Sequence, residues 1–497
     1  MTIKTNKTKQ DKRLLSSIML VFTVTALAKA LGMVREILQA RVFGAGEHTD
    51  LYSLANNATV YLFTTAAYAL CVAAVPLITG SLQKSREEGL KTAGNIISVS
   101  LLCSVPALGI WALIANGTFM RILLPTLPVI VVAYLLVALL QSLDHYEVQG
   151  LLSFPYNLAL CAFLLIFGDK FGMAGYVAVV SIAWLLQLGT TLPYVIKERI
   201  WLSFKPDFKA PYLASYFKSA IVIIITTAVY LFCYMLDAAF ARGMGEGAVS
   251  SLYYADRLFT PIVTSLIYSI SAVVYPKFGQ MNSVFPGGGA EYKEYIASVL
   301  DLSLRLMLPV TAIFTVLSRD MVNVLYLGGN FSEPAAVETG LVLTMLGLGT
   351  CGIFLLDLIN KAYYAMGKIA TPLVVCISVL ILNLALNAAA RYSWALAAFT
   401  SFALVLGGLG IAFFFFRGTK IFSNHRRVYK WIIASAAAGG ALFAARLFIS
   451  TDGAAASYVI LICGILGLGA CALYDFLCFL MHEEPLMGIL IKKLKRK

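Results

Sequence analysis

The chain has 497 residues, of which 60% are hydrophobic and only 13% charged, with a mean hydropathy of +0.84. Soluble domains carry about 25% charged residues, so this composition excludes a soluble globular protein and indicates a polytopic membrane protein with little extramembrane mass. The net charge of +13 would point to nucleic acid in a soluble chain; here it reads as basic cytoplasmic loops, with no nucleic-acid partner.

In chain order, the sequence predicts fourteen membrane-spanning helices. They start near Leu14, Leu51, Thr92, Leu123, Pro155, Gly172, Ser219, Val249, Ser298, Ala336, Thr371, Trp394, Trp431 and Ala456. The apolar runs lack the strict alternation that a β-barrel requires. The first run is longer than a signal-peptide core and has no clear cleavage site, so it is expected to be a span. The nine cysteines show no Cys-x-x-Cys pair and the four histidines no His-Glu-x-x-His, which leaves no metal or disulfide framework in view.

Lys and Arg set the orientation. The tail holds Lys4, Lys7, Lys9, Lys12 and Arg13, and alternate loops hold Lys84, Arg86 and Lys91; Lys197, Arg199, Lys205 and Lys209; Lys277 and Lys293; Lys361 and Lys368; and Arg417 through Lys430. The intervening loops carry little more than one cation each. Both termini are therefore expected in the cytoplasm of a multi-pass protein. The acidic Asp144–Gln149 loop departs from the pattern.

An internal repeat is visible. Ala40-Arg41-Val42-Phe43-Gly44-Ala45-Gly46-Glu47 leads into Leu51-Tyr52, and Ala241-Arg242-Gly243-Met244-Gly245-Glu246 leads into Leu252-Tyr253. Each block joins the first two spans of a six-span half, a parallel repeat of the transporter kind. The expected fold is all-α: a basic tail over 1–13, an N-lobe over 14–200, a cytoplasmic linker over 201–218, a C-lobe over 219–417, and two further helices with a basic tail over 418–497.

Charges inside the apolar runs are the candidate site. A Lys or Arg at mid-membrane costs at least about 2.5–3.5 kcal/mol and normally faces a bundle interior or a wet cavity. Lys29 and Arg35 flank Gly32 in the first span, and about 120° of helix rotation separates them. They either line a wide cavity for an anionic guest or snorkel to the headgroups with Glu36. Arg257 lies in the second half beside Asp256, its expected local partner. Guanidinium forks and ammonium charges suit a diphosphate. Asp237 in the seventh span, and Asn383 and Asn387 at i, i+4 on one helix face, form a second polar group; interhelical hydrogen bonding is the competing explanation. Asp357 and Asn360 are similarly ambiguous.

Lys29-Ala30-Leu31-Gly32-Met33-Val34-Arg35-Glu36, Ala40 to Gly46 and Thr49-Asp50 resemble the opening signature of the MurJ/MviN lipid II flippases, within the multidrug/oligosaccharidyl-lipid/polysaccharide exporter superfamily. Tyr253 to Leu258, Phe154-Pro155-Tyr156-Asn157 and Lys361-Ala362-Tyr363-Tyr364-Ala365 resemble further stretches of that family. The resemblance implies a non-enzymatic flippase of the bacterial cytoplasmic membrane, serving peptidoglycan synthesis and working with cell-wall synthesis proteins. It would move a lipid-linked disaccharide-pentapeptide by alternating access. The resemblance also implies diphosphate binding by Lys29, Arg35, Arg257 and Asn157, with Glu36, Asp50 and Asp256 in support. It further implies a sodium site of Asp237, Asn383, Asn387 and Thr400, with sodium or the membrane potential as the coupling source. This chain departs from the family in having Ala28-Lys29 where Ser-Arg is usual, an uncharged Val60–Thr65, and Asn387 where Asp is frequent. Competing expectations are an exporter of another lipid-linked oligosaccharide, a cation-coupled drug exporter, and a membrane-bound transferase.

Overall fold

The computed structural model describes residues 27–481, except 116, 144, 146–147, 149–150, 203, 228, 285–287, 418–424 and 450–455. The beginning of the first expected span, the tail over 1–13 and the C-terminal cations from Lys492 onward lie outside the described residues, as does most of the Asp144–Gln149 loop. Among the described residues the molecule is helical, apart from one isolated bridge between Gly328 and Phe331. Among the described residues nine helices are long and apolar enough to cross a membrane, or up to eleven if each of two broken pairs counts as one span.

The chain divides at Ile224/Ile225 into two compact units. The first contains α1 (27–43), α2 (Glu47–Leu82), α3 (Arg86–Ile114), α4 (Thr118–Ser142), the shorter α5 (Ser153–Ile166) and α6 (Gly168–Lys197). Helix α7 (Leu213–Thr227) carries the division. The second unit continues with α8 (Val229–Ala241), α9 (Ala248–Val284), α10 (Ala290–Leu325), α11 (Glu333–Leu348), α12 (Thr350–Ala365), α13 (Ala370–Asn387), α14 (Ser393–Phe416), α15 (His425–Phe448) and α16 (Ala456–Leu480).

Local sequence explains where the helices start and bend. The Ser85 hydroxyl accepts the Glu88 N–H at 3.0 Å and caps α3. Ser332 does the same for α11, with a proline in its first turn. Gly172, at φ +57°, breaks α6 near its start. Pro76, Pro106 and Pro309 lie inside long helices, where the ring removes one backbone donor. One feature of α2 has no proline behind it: residues Asn57–Tyr61 form a π-helical turn. The Trp111 indole of α3 donates to the Ala58 carbonyl there at 2.8 Å, satisfying an acceptor in the disturbed helix ladder.

The repeated blocks occupy equivalent places. Gly44 at φ +66° closes α1, and its carbonyl accepts the Thr49 hydroxyl at 2.9 Å as α2 begins. Gly245 and Gly247, at φ +120° and +83°, turn the chain from α8 into α9. Tyr52 and Tyr253, the matched tyrosines, are both fully buried.

In the first unit α2 packs along α4, and α5 along α6. In the second, α12 and α14 approach closely because both contribute glycine. A Cβ on Gly352 would fall 2.6 Å from the Val405 nitrogen, and one on Gly408 would fall 2.9 Å from the Gly352 carbonyl oxygen. Small residues allow this backbone approach in membranes, where apolar burial supplies little drive between helices. Helices α15 and α16 pair with each other and lie against α10. Trp431, Ala434, Ala438, Tyr474 and Cys478 form their buried seam with Leu308, and Arg446 pairs with buried Asp320 at 2.6 Å. Outward residues such as Leu113, Leu165, Leu468 and Phe448 are exposed, as a lipid-facing surface requires.

Candidate functional site

The first group lies where α1 meets α5. Gly32 supplies the contact: a Cβ there would sit 3.4 Å from the Asn157 amide nitrogen. Asn157 is buried, and that amide also donates to the Ser153 carbonyl at 2.9 Å. One turn further along α1, the Arg35 guanidinium lies over the Tyr156 ring, 5.5 Å from its centroid. The same guanidinium pairs with the buried Glu36 carboxylate. The ring covers one face of the fork, and the Glu36 carboxylate takes part of its in-plane N–H edge. Lys29 is exposed near the beginning of the described part of α1. Asp50 is half-buried in the first turn of α2, where a carboxylate complements the helix dipole.

In the second unit, Arg257 is half-buried on α9, with its guanidinium 4.8 Å from the centroid of the Tyr253 ring one turn earlier. Asp256 is buried and accepts hydrogen bonds from the Tyr230 hydroxyl at 2.9 Å and the Thr260 hydroxyl at 2.6 Å. The carboxylate expected to serve Arg257 is thus also anchored by neutral hydroxyls on α8 and α9. Sequence reasoning missed Tyr156, Tyr253, Tyr230 and Thr260. The available signals were Tyr253 one turn before Arg257, Thr260 one turn after Asp256, and Tyr156 beside Asn157.

The second polar group does assemble. Asp237 of α8, Asn383 and Asn387 of α13 and Thr400 of α14 are each at most 1% exposed. Asp237 Oδ1 accepts the Asn387 amide at 2.7 Å and the Asn383 amide at 3.3 Å; Oδ2 accepts the Thr400 hydroxyl at 2.6 Å. The i, i+4 spacing of the two asparagines puts both on one carboxylate. Asp237 has no cationic side chain among its partners in the described residues, and Asn387 Oδ1 is buried without a hydrogen-bond partner. A buried carboxylate held only by neutral donors, with an unused amide oxygen beside it, is the donor set a hard monovalent cation takes. Among the described residues no cluster of three His, Cys, Asp or Glu side chains is present. Asp357 pairs instead with Lys361 at 2.6 Å along α12, and Asn360 donates to Cys376.

A family model described as lipid II flippase MurJ matches residues 39–464. The probable lipid II flippase MurJ of Vibrio cholerae serotype O1 is 24% identical, over 98% of each chain. The lipid II flippase MurJ of Burkholderia cenocepacia is 22% identical over 74% of this chain and 77% of its own. Among solved structures, a lipid II flippase MurJ in an inward closed conformation superposes with a TM-score of 0.76 at 19% identity, covering 94% of this chain and all of the other. An inward-facing multidrug resistance MATE family transporter of the MOP superfamily gives a TM-score of 0.63 at 11% identity, over 82% and 99%. The all-helical membrane fold is therefore shared with both groups, and the match across 39–464 places the chain in the lipid II flippase MurJ family.

Proposed function

We propose that this protein is a flippase of lipid-linked peptidoglycan precursor, lipid II, across the bacterial cytoplasmic membrane. The observation that carries the reading is the family match over residues 39–464. The side chains support it: Arg35 and Arg257 each stand in an apolar helix with the guanidinium over a tyrosine ring, and guanidinium is a group suited to a diphosphate. Lys29 adds a third cation, and Asn157 a neutral donor beside Gly32. The cargo stays covalently unchanged, so the work is conformational. The diphosphate must bind the two access states with different affinity for transport to be directed. This separates the reading from a drug exporter, whose cationic cargo calls for carboxylates rather than guanidiniums in the cavity.

Coupling is assigned to the Asp237 group. Asp237, Asn383, Asn387 and Thr400 supply oxygens from three helices, and a sodium ion held there supplies the positive charge that the carboxylate lacks among its side-chain partners. Both termini are assigned to the cytoplasm on the basic loops.

The test is depletion of the protein in its own bacterium, followed by measurement of lipid-linked precursors on each leaflet. Accumulation of the disaccharide-pentapeptide diphosphate lipid on the inner leaflet is the expected outcome. Accumulation of a different lipid-linked oligosaccharide transfers the reading to that cargo, and unchanged leaflet distributions reject it.

A further inference from the structure

The end of α6 and the chain beyond it carry features the flipping reaction does not use. Phe154 and Pro155 from the start of α5, with Pro193 and Tyr194 from the end of α6, line a crevice of about 450 Å³. That volume falls in the range of small-molecule and lipid-chain sites. Lys197 is the charged residue in its lining. The helix then stops: Arg199, a non-glycine at φ +48°, turns the backbone, and the Ile200 N–H reaches back to the Val195 carbonyl at 2.9 Å. The buried Ile200 side chain pins this turn.

The segment that follows is held at both ends. Arg86 donates to the Glu198 carbonyl and lies 3.3 Å from its carboxylate, which His145 also meets at 3.0 Å. These partners, His145 first, hold the Glu198 carboxyl below its ordinary range. Further on, Asn95 of α3 accepts the Asp207 N–H at 2.6 Å and donates to the Tyr212 hydroxyl at 2.8 Å. Between the anchors Trp201 (88% exposed), Phe204 and Phe208 lie open. Lys197, Arg199, Lys205 and Lys209 are exposed among them. The two acids of the stretch are occupied, Glu198 as above and Asp207 by the Lys209 N–H at 2.9 Å. Exposed aromatics interleaved with four cations against two acids over 197–209, at the end of a membrane span, match an anionic headgroup layer.

We propose that this crevice and the adjoining 197–209 strap bind one anionic phospholipid of the surrounding membrane, with an acyl chain between α5 and α6 and the phosphate at Lys197. The site lies wholly within the first unit and is separate from Asp237 and its partners. A zwitterionic lipid brings its own ammonium to a cationic strap and is disfavoured. Because α5 also carries Tyr156 and Asn157, an occupied crevice would set the position of the helix on which the Arg35 guanidinium rests.

The test is native mass spectrometry of the purified full-length chain titrated with phosphatidylglycerol and, separately, phosphatidylcholine of the same acyl chains. The first phosphatidylglycerol should bind on the order of tenfold more tightly. Lys197→Ala with Arg199→Ala should bring the two lipids close to equal, Lys197→Arg should keep the preference, and Thr190→Trp, which fills the crevice, should weaken both. Should Thr190→Trp fail to fold, the alanine and arginine variants still decide. Equal binding of the two lipids by the unaltered protein overturns the proposal, as does a preference that survives the double alanine variant. Displacement of the bound phosphatidylglycerol by a polyprenyl diphosphate, lost in the same variants, would assign the crevice to the transported lipid and overturn it as well.

Discussion

Arg35 and Arg257 solve the same local problem in the two units. Each is a guanidinium in an apolar helix, and each rests on a tyrosine that shields its face. Replacing either by alanine leaves the tyrosine in place and removes the fork. A hydrogen bond to a charged group contributes about 1.5–3 kcal/mol, so Arg35→Ala and Arg257→Ala should each lower transport roughly 10- to 100-fold. Protein levels should stay near normal, and Lys29→Arg should be tolerated. Complementation at matched expression checks this; normal growth of either alanine variant rejects the assignment. At the Asp237 cluster, Asp237→Asn should abolish any sodium dependence, because four neutral side chains then remain. Asn387→Asp should strengthen it by adding a second charge where a buried amide oxygen now lacks a partner. Transport at varied sodium must be measured under a clamped potential, since the potential alone supplies about 2.3 kcal/mol per charge per 100 mV. If the unaltered protein is indifferent to sodium under that clamp, the four residues are packing polars, and potential or protons provide the coupling.

At the scale of elements, glycine marks where helices are allowed to touch. Gly352 and Gly408 put α12 and α14 backbone to backbone, whereas Gly410 on the same helix has open space where a Cβ would stand. Gly352→Ala should therefore overpack the pair and cost about 1–3 kcal/mol. Gly410→Ala should be neutral or stabilise by up to about 1 kcal/mol through helix propensity. Thermal unfolding in one detergent compares the two; equal midpoints would show that the α12–α14 approach does not limit stability. The same scale exposes what sequence reading overlooked. The π-helical turn at Asn57–Tyr61 sits in Asn-Ala-Thr-Val-Tyr, with no proline or glycine to announce it. Its partner, the Trp111 indole, arrives from the next helix, so no window along α2 contains it.

For the whole molecule, topology is the open quantity that the basic loops address. Cysteine replacements of Asp50, in the first turn of α2, and Glu246, in the connection between α8 and α9, each following an expected outward-going span, should react with an impermeant thiol reagent in intact cells. Cysteines placed in the connection between α6 and α7 should react only after permeabilisation. The reverse pattern would overturn the cytoplasmic assignment of both termini, and with it the side of the membrane facing the 197–209 strap. The labelling starts from a variant in which the exposed Cys103 is replaced.

Composition and hydropathy by themselves determined the class, because a chain with 13% charged residues has no means of covering a soluble surface. The parallel repeat was legible because Gly-x-Gly-Glu leads into Leu-Tyr in both blocks; within them Gly44 and Gly245 turn at φ +66° and +120°, which few other residues adopt. The i, i+4 pair Asn383 and Asn387 was legible as one face because helical spacing alone fixes it. What that face meets was a different matter. Asp237 precedes Asn383 by 146 positions, and only the packing of α8 against α13 and α14 brings the carboxylate within 2.7 Å of Asn387. The tyrosine under Arg35 comes from α5, and the hydroxyl on Asp256 from α8. The crevice beside Lys197 exists because the start of α5 and the end of α6, opposite ends of two consecutive helices, leave space between them. Periodicity reports which way a residue points on its own helix; the neighbour that fills the direction is chosen by the close packing of several helices at once, and that belongs to tertiary structure.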